Sequence, residues 1–263
     1  MTRANYKNWM PKGMVVAGAC GTGAFLALYL FFRLSGVLSG HWRMILLVLS
    51  LAGTVVGAVS TLWMTMLYRR FSYDGKRQLS RRIIEEVASH VDLPEGGEAL
   101  DVGCGSGAMT IACAKRSPGA RVLGVDRWGK EYASFNKTLC ESNAQAEGVS
   151  NVSFARGDAT HLEFEDERFD AVVSNYVYHN IPVRDRQEIL METLRVLKKG
   201  GTFALHDIFS KAKYGDMEAF MKKLRNLGYE EVRMIDTTKG DPIGPSEAFW
   251  MGLSGSAILL GKK

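Results

Sequence analysis

Residues 99–107 read Ala-Leu-Asp-Val-Gly-Cys-Gly-Ser-Gly, and this stretch decides the fold. Residues 99–103 have the apolar make-up of a buried strand, with Asp101 near its end, and residues 108–115 carry a helical pattern. Between them Gly103, Gly105 and Gly107 let the backbone turn tightly and approach a bulky ligand where a Cβ would collide. A strand, a glycine turn and a helix in that order make a nucleotide pocket at one edge of an α/β sheet.

Outward from this turn the pattern continues. Residues 80–91 place Ile83, Ile84, Val87 and Val91 at helical spacing. Residues 121–126 form a second short strand ending in Asp126, residues 130–146 a helix, residues 152–155 a third strand and residues 169–175 a fourth. A helix over 184–197 is expected to stop at Gly200 and Gly201, with a fifth strand at 202–206. A helix at 217–227 and strands at 231–235 and 256–260 complete the set. Strands separated by helices imply a mostly parallel sheet covered on both faces.

The 263 residues exceed what one such domain needs, and the surplus lies at the front. Residues 14–32 and 44–67 are free of charge, and each is long enough to cross a hydrocarbon core of about 30 Å as a helix. The short join between them forces an antiparallel hairpin. Eleven of the chain's 33 basic residues but only one of its 28 acids, Asp74, fall within residues 1–82, so the net charge of +5 belongs to the front and the remainder is acidic. Basic residues flank the hairpin more heavily than its loop, which places both termini and the domain on the cytoplasmic side of a membrane, with the lipid bilayer as partner. An acidic domain argues against a nucleic-acid substrate. The expected division is residues 1–67 as the membrane segment, 68–79 as a linker and 80–263 as the catalytic domain. Gly53 and Gly57, with Gly18, Ala19, Gly21 and Gly23, would let helix backbones come close, either within the hairpin or between two copies as a homodimer. Cys20, Cys104, Cys113 and Cys140 lack metal-site or disulfide spacing and read as reduced thiols, and no metal is expected.

The glycine spacing, Gly-x-Gly-x-Gly followed by Ala108, differs only moderately from the dinucleotide fingerprint, so an NAD-dependent oxidoreductase stays open on that feature alone. With Asp126, Gly157-Asp158-Ala159 and Leu197-Lys-Lys-Gly-Gly added, residues 73–263 resemble class I S-adenosylmethionine-dependent methyltransferases. The resemblance implies a Rossmann-like, seven-stranded sheet with the last strand antiparallel, and S-adenosylmethionine as cofactor. It also implies that the turn of Gly103, Gly105 and Gly107 approaches the methionine part and that Asp101 orients the loop or the cofactor's amino group. Asp126 would hold the ribose, Asp158 beside Ala159 the adenine amine, and Arg127 and Trp128 would flank the adenine.

The segment after the fourth strand, Asn175, Tyr176, Tyr178, His179 and Asn180, faces the transferred methyl in that family. His179 is the candidate general base, because imidazole titrates near neutrality, with Tyr176 and Tyr178 beside it as catalytic candidates and Asn175 at the cofactor's edge. His206 and Asp207 are second-rank candidates. Residues 175–178 lack the Asn/Asp-Pro-Pro-aromatic motif of enzymes that methylate nucleobase or glutamine amines. Phe71 and Tyr73 serve either as pocket cover or as interfacial anchors, and residues 242–251 either cover the acceptor or touch the bilayer. A pocket tethered beside a membrane suits a lipid or another lipophilic small-molecule acceptor. A membrane-bound sensor that binds S-adenosylmethionine without turnover is the rival of another class.

Overall fold

The computed structural model describes residues 3–129 and 134–263. The chain divides into two compact units, one of Asn8–Ser80 and one of Arg81–Lys263 together with the residues up to Lys7.

The first unit is a helical hairpin of α1 (Lys12–Leu34) and α2 (Gly40–Arg70). At 1.5 Å per residue these helices are about 35 Å and about 46 Å long, the first beyond its uncharged run by roughly one turn and the second by roughly two. The basic residues at both ends continue the helix because Lys and Arg are good helix formers. Small residues let the helices touch. A Cβ on Gly53 would lie 2.5 Å from the Phe25 ring, and one on Gly57 would lie 2.7 Å from Thr22 Oγ1. The face of α2 that carries Gly53 and Gly57 is therefore filled by α1 of the same chain. Thr22, Ser50, Thr54 and Thr65 donate their hydroxyls to carbonyls of their own helix, which satisfies them without water. At the loop end Arg43 donates to the Phe32 and Arg33 carbonyls, groups the end of α1 leaves without a helical partner. At the opposite end Phe71 packs on Trp9 with ring centres 5.8 Å apart.

The second unit is built on a seven-stranded sheet of order β3-β2-β1-β4-β5-β7-β6. The strands are β1 (Glu98–Val102), β2 (Arg121–Asp126), β3 (Val152–Arg156), β4 (Phe169–Asn175), β5 (Leu197–Ile208), β6 (Glu230–Asp236) and β7 (Ser256–Lys262). β1 to β5 are parallel, while β7 runs antiparallel to both β5 and β6. Around it lie α3 (Leu79–Ser89), α4 (Ala108–Arg116), α5 (Lys137–Ala146), α6 (Arg186–Arg195), α7 (Lys211–Tyr214), α8 (Met217–Asn226) and α9 (Pro245–Met251). Leu100, Val102, Val172, Phe203 and Leu259 are among the sheet residues fully or almost fully buried beneath these helices. The strand order reverses between β1 and β4, and ligands of open α/β sheets bind beyond the strand ends at such a point.

Two expectations change. The helix expected over 130–146 begins at Lys137, because Asn136 caps it by accepting from the Leu139 amide at 2.9 Å; residues 130–133 lie outside the described residues. Gly200 and Gly201 do not stop a helix: α6 has ended at Arg195, and both glycines lie inside β5 where its register against β4 shifts. A Cβ on Gly201 would stand 2.6 Å from Leu197 Cδ1 and 2.8 Å from the Asp170 carbonyl, so the bulge requires glycine there.

Candidate active site

The turn after β1 is left-handed at Gly103, Gly105 and Gly107, with φ of +80°, +55° and +82°. Gly103 meets the loop after β4, and a Cβ there would come within 2.3 Å of Val177 Cγ2. At Gly105 the same Cβ would find nothing nearer than the Phe135 ring at 3.7 Å, so open space adjoins the turn.

Asp126 holds this turn in place. Its Oδ2 accepts from the Gly105 amide at 2.9 Å and its Oδ1 from the Trp128 amide at 2.7 Å. The carboxylate remains partly exposed, with lone pairs to spare. Trp128, in a left-handed conformation of φ +45°, donates its indole N–H to the Gly105 carbonyl at 2.9 Å. Its ring therefore lies against the glycine turn, while Arg127 is exposed.

Asp101 is wholly buried beneath the turn. Its Oδ2 accepts from Thr110 Oγ1 at 2.6 Å, and its Oδ1 has no hydrogen-bond partner among the described residues. Burial raises its pKa to about 7 against the lowering effect of Thr110, and the nearby charge of Asp126 adds to the rise. Asp158 is exposed after β3. Its Oδ1 accepts from the Thr160 amide and hydroxyl at 2.8 and 2.7 Å, and these bonds, with the more distant charge of Arg127, hold its pKa below the usual range. Ala159 is partly buried against the core.

The β4–β5 side is built differently. Tyr176 turns the chain after β4 with φ +54°, a conformation uncommon outside glycine and frequent where a site stores strain. Its amide donates to the His206 carbonyl, its ring lies 4.5 Å from the His206 ring, and its hydroxyl is 2.7 Å from Ser256 Oγ. His206 is fully buried, 2.7 Å through Nδ1 from Asn175 Oδ1 and 3.0 Å through Nε2 from Thr237 Oγ1. Burial pushes its pKa down to about 4, so it is neutral and serves as a bridge that fixes Asn175.

His179 lies on the short 3-10 turn Tyr178–Asn180, and its Nδ1 is 2.6 Å from Asp207 Oδ1. Asp207 is buried at the end of β5. Burial would raise its pKa, but the hydrogen bond and charge of His179, with two backbone amides, outweigh that and hold it low. An ionised carboxylate only accepts, so His179 donates to it from Nδ1, and Nε2 lies on the other side of the ring from that bond. Its side chain is 14% exposed, enough to be reached. Arg186 stiffens the turn by donating to the carbonyls of Tyr178 and Ile181.

Tyr178, a catalytic candidate from the sequence, faces inward. It is 0% exposed, packs in the core with Leu190 and Leu194, and its hydroxyl is spent on Thr193 Oγ1 at 3.0 Å. Asn180 is exposed beside the site. Thr110, Thr237, Ser256 and Arg186 complete the constellation, and no local motif distinguishes them in the sequence.

A methyltransferase-domain family model matches residues 100–205, from β1 into β5. The chain is 30% identical over 148 residues to methyltransferase GfsG of Streptomyces halstedii, covering 56% of this chain and 50% of that protein. It is 37% identical over 107 residues to demethylmenaquinone methyltransferase of Lactobacillus johnsonii, covering 40% and 41%. The chain thus spans half or less of the length of these curated relatives. A solved S-adenosylmethionine-dependent methyltransferase from Aquifex aeolicus covers 72% of this chain and 93% of its own, with a TM-score of 0.50 and 17% identity, and shows the shared fold. The cofactor that the sequence resemblance implies is S-adenosylmethionine, one of the two nucleotides the glycine spacing leaves open. The residues present fit that group: a glycine turn beside open space, an orphan carboxyl oxygen on Asp101 and two accessible carboxylates, Asp126 and Asp158.

Proposed function

We propose that this chain is a membrane-anchored S-adenosylmethionine-dependent methyltransferase that acts on a lipid or lipophilic small molecule at the cytoplasmic face. The observation that carries the reading is the joining of a methyltransferase domain, in one chain, to two apolar helices whose side chains are largely unburied. Leu49, Val56, Val59 and Leu62 on α2 are about 60% exposed, which costs least in hydrocarbon. Residues before Lys7 belong to the same unit as residues 81–263, so a hairpin between them would cross twice and return to its starting side. The excess of basic residues flanking the hairpin supports the cytoplasm as that side. The demethylmenaquinone methyltransferase relative is named for a quinone, in keeping with a lipophilic acceptor.

In this site Asp126 would hold the ribose, Asp158 the adenine amine, and Asp101 with the glycine turn the methionine end. When bound, S-adenosylmethionine supplies an electrophilic methyl group on a sulfonium. Asn175, fixed by His206, and Tyr176, fixed by Ser256, shape the acceptor side and align what enters it. His179 takes the acceptor's proton at Nε2, while Asp207 holds the Nδ1 proton and offsets the imidazolium charge, a role worth about a hundredfold or more in rate.

The test is to incubate the purified full chain with methyl-labelled cofactor and total membrane lipid, or with water-soluble extract in a parallel reaction. Label in an organic-phase product is expected. Label confined to water-soluble products would overturn the acceptor class, and tight cofactor binding with no product in either reaction would favour the sensor.

A further inference from the structure

Asn143, on α5, is 2% exposed and spends its whole amide on two distant segments. Its Nδ2 donates to the Ser106 carbonyl of the glycine turn at 3.0 Å and to the Asn5 carbonyl at 3.3 Å, while its Oδ1 accepts from the Asn5 amide at 2.7 Å. Asn5 also accepts, through Oδ1, from the Lys7 amide, and Tyr6 between them is 5% exposed. The residues ahead of the hairpin thus form a short strap on the catalytic unit, bonded to the side chain that holds the cofactor turn.

We propose that this strap is a cofactor-positioning element, Asn5 acting through Asn143 on the turn 103–107. The proposal rests on the reading that this turn receives S-adenosylmethionine. A turn with three left-handed glycines has much conformational freedom to lose, and whatever restrains it beforehand lowers the cost of binding. Asp126 and Trp128 brace the turn from the β2 side, and Cys140 donates its thiol to the Gly105 carbonyl from α5. Asn143 braces the next carbonyl, and only while the strap occupies its remaining donor and acceptor is its amide fixed in one orientation. The hairpin is accordingly an insertion between the strap and α3, within a catalytic unit that uses residues on both sides of it.

The experiment measures cofactor affinity by calorimetry, steady-state kinetics on the acceptor found by lipid labelling, and hydrogen exchange at the amides of 103–107, all on the full chain in lipid nanodiscs. Two variants are compared with wild type. Asn143→Asp keeps the acceptor for the Asn5 amide but sets a carboxylate against two carbonyls; Asn5→Pro, at an exposed position, deletes the donated N–H and leaves Asn143 intact. Each should raise Kd and KM for the cofactor about five- to tenfold, the scale of one hydrogen bond, with kcat at saturating cofactor within about twofold and faster exchange at 103–107. Unchanged Kd in Asn5→Pro overturns the proposal even if Asn143→Asp fails to fold. A loss of kcat in step with a fall in melting temperature, at constant Kd, also overturns it, leaving a merely structural contact. If folded wild type binds no S-adenosylmethionine, the reading of the turn fails first and the proposal with it.

Discussion

The β1–β2 side of the site and the β4–β5 side reach rigidity by opposite routes. On the first the backbone is the working part: three left-handed glycines make the surface, and Asp126 and Trp128 hold it through main-chain groups. On the second the working parts are side chains that meet across the sheet, His179 with Asp207 and Asn175 with His206 and Thr237. A backbone-built site tolerates little at its own positions, whereas a side-chain-built site can be dismantled one group at a time. The difference suits a fixed donor on one side and a changeable acceptor on the other.

The comparison breaks most visibly at Asp126. Asp126→Ala removes the acceptor for two main-chain amides and should weaken cofactor binding about a hundredfold or more, some 3 kcal/mol, by calorimetry. Unchanged affinity would take Asp126 out of the site. Across the sheet, His179→Ala should lower kcat about a hundredfold with cofactor Kd unchanged. A fall in affinity instead would show that the two sides are not separable. Asp207→Asn should cost less, about tenfold in kcat, because the ring stays hydrogen-bonded but its charge is no longer offset; full activity would leave His179 without need of a partner.

A pH series sharpens the contrast further. Folded Asp101 keeps its proton to about pH 7 against an ordinary value of 3.8, so it contributes stability at low pH that is lost as pH rises from about 4 to about 7 and is level beyond. Asp101→Asn should lack that decline. The difference between the two proteins in urea unfolding isolates it from His206, whose depressed value of about 4 gives the opposite slope between there and 6.5. Equal slopes would place the titration elsewhere. The smallest effect is expected from Tyr178→Phe, about 1 kcal/mol of stability for the bond to Thr193 and kcat within about twofold; a large loss of turnover would return Tyr178 to the site.

What could be read from the chain follows the same division. The run from Ala99 to Gly107 and the acid at 126 are legible because the positions that act are adjacent or end a strand, so their spacing is itself the signal. His179 stood out by residue type, but Asp207, 28 positions away, became its partner only when β4 and β5 aligned. The burial of Tyr178 is not legible, because a three-residue turn has no periodicity to tell an inward side chain from an outward one. Gly200 and Gly201 read as a helix end although they lie in a strand, because a bulge and a cap ask for the same residue. Nothing in the sequence marks Asn5 and Asn143, since the bonds joining them use the main chain of one and a common side chain of the other.

The placement of residues 3–7 bears on how a detergent-free enzyme should be engineered. Cutting the chain back to Arg81 keeps every strand of the sheet yet discards the strap, so low affinity in such a fragment would be an artefact of the cut. Splicing Lys7 to Arg81 through a flexible glycine-serine bridge deletes the oily segment while retaining both ends of the folded unit.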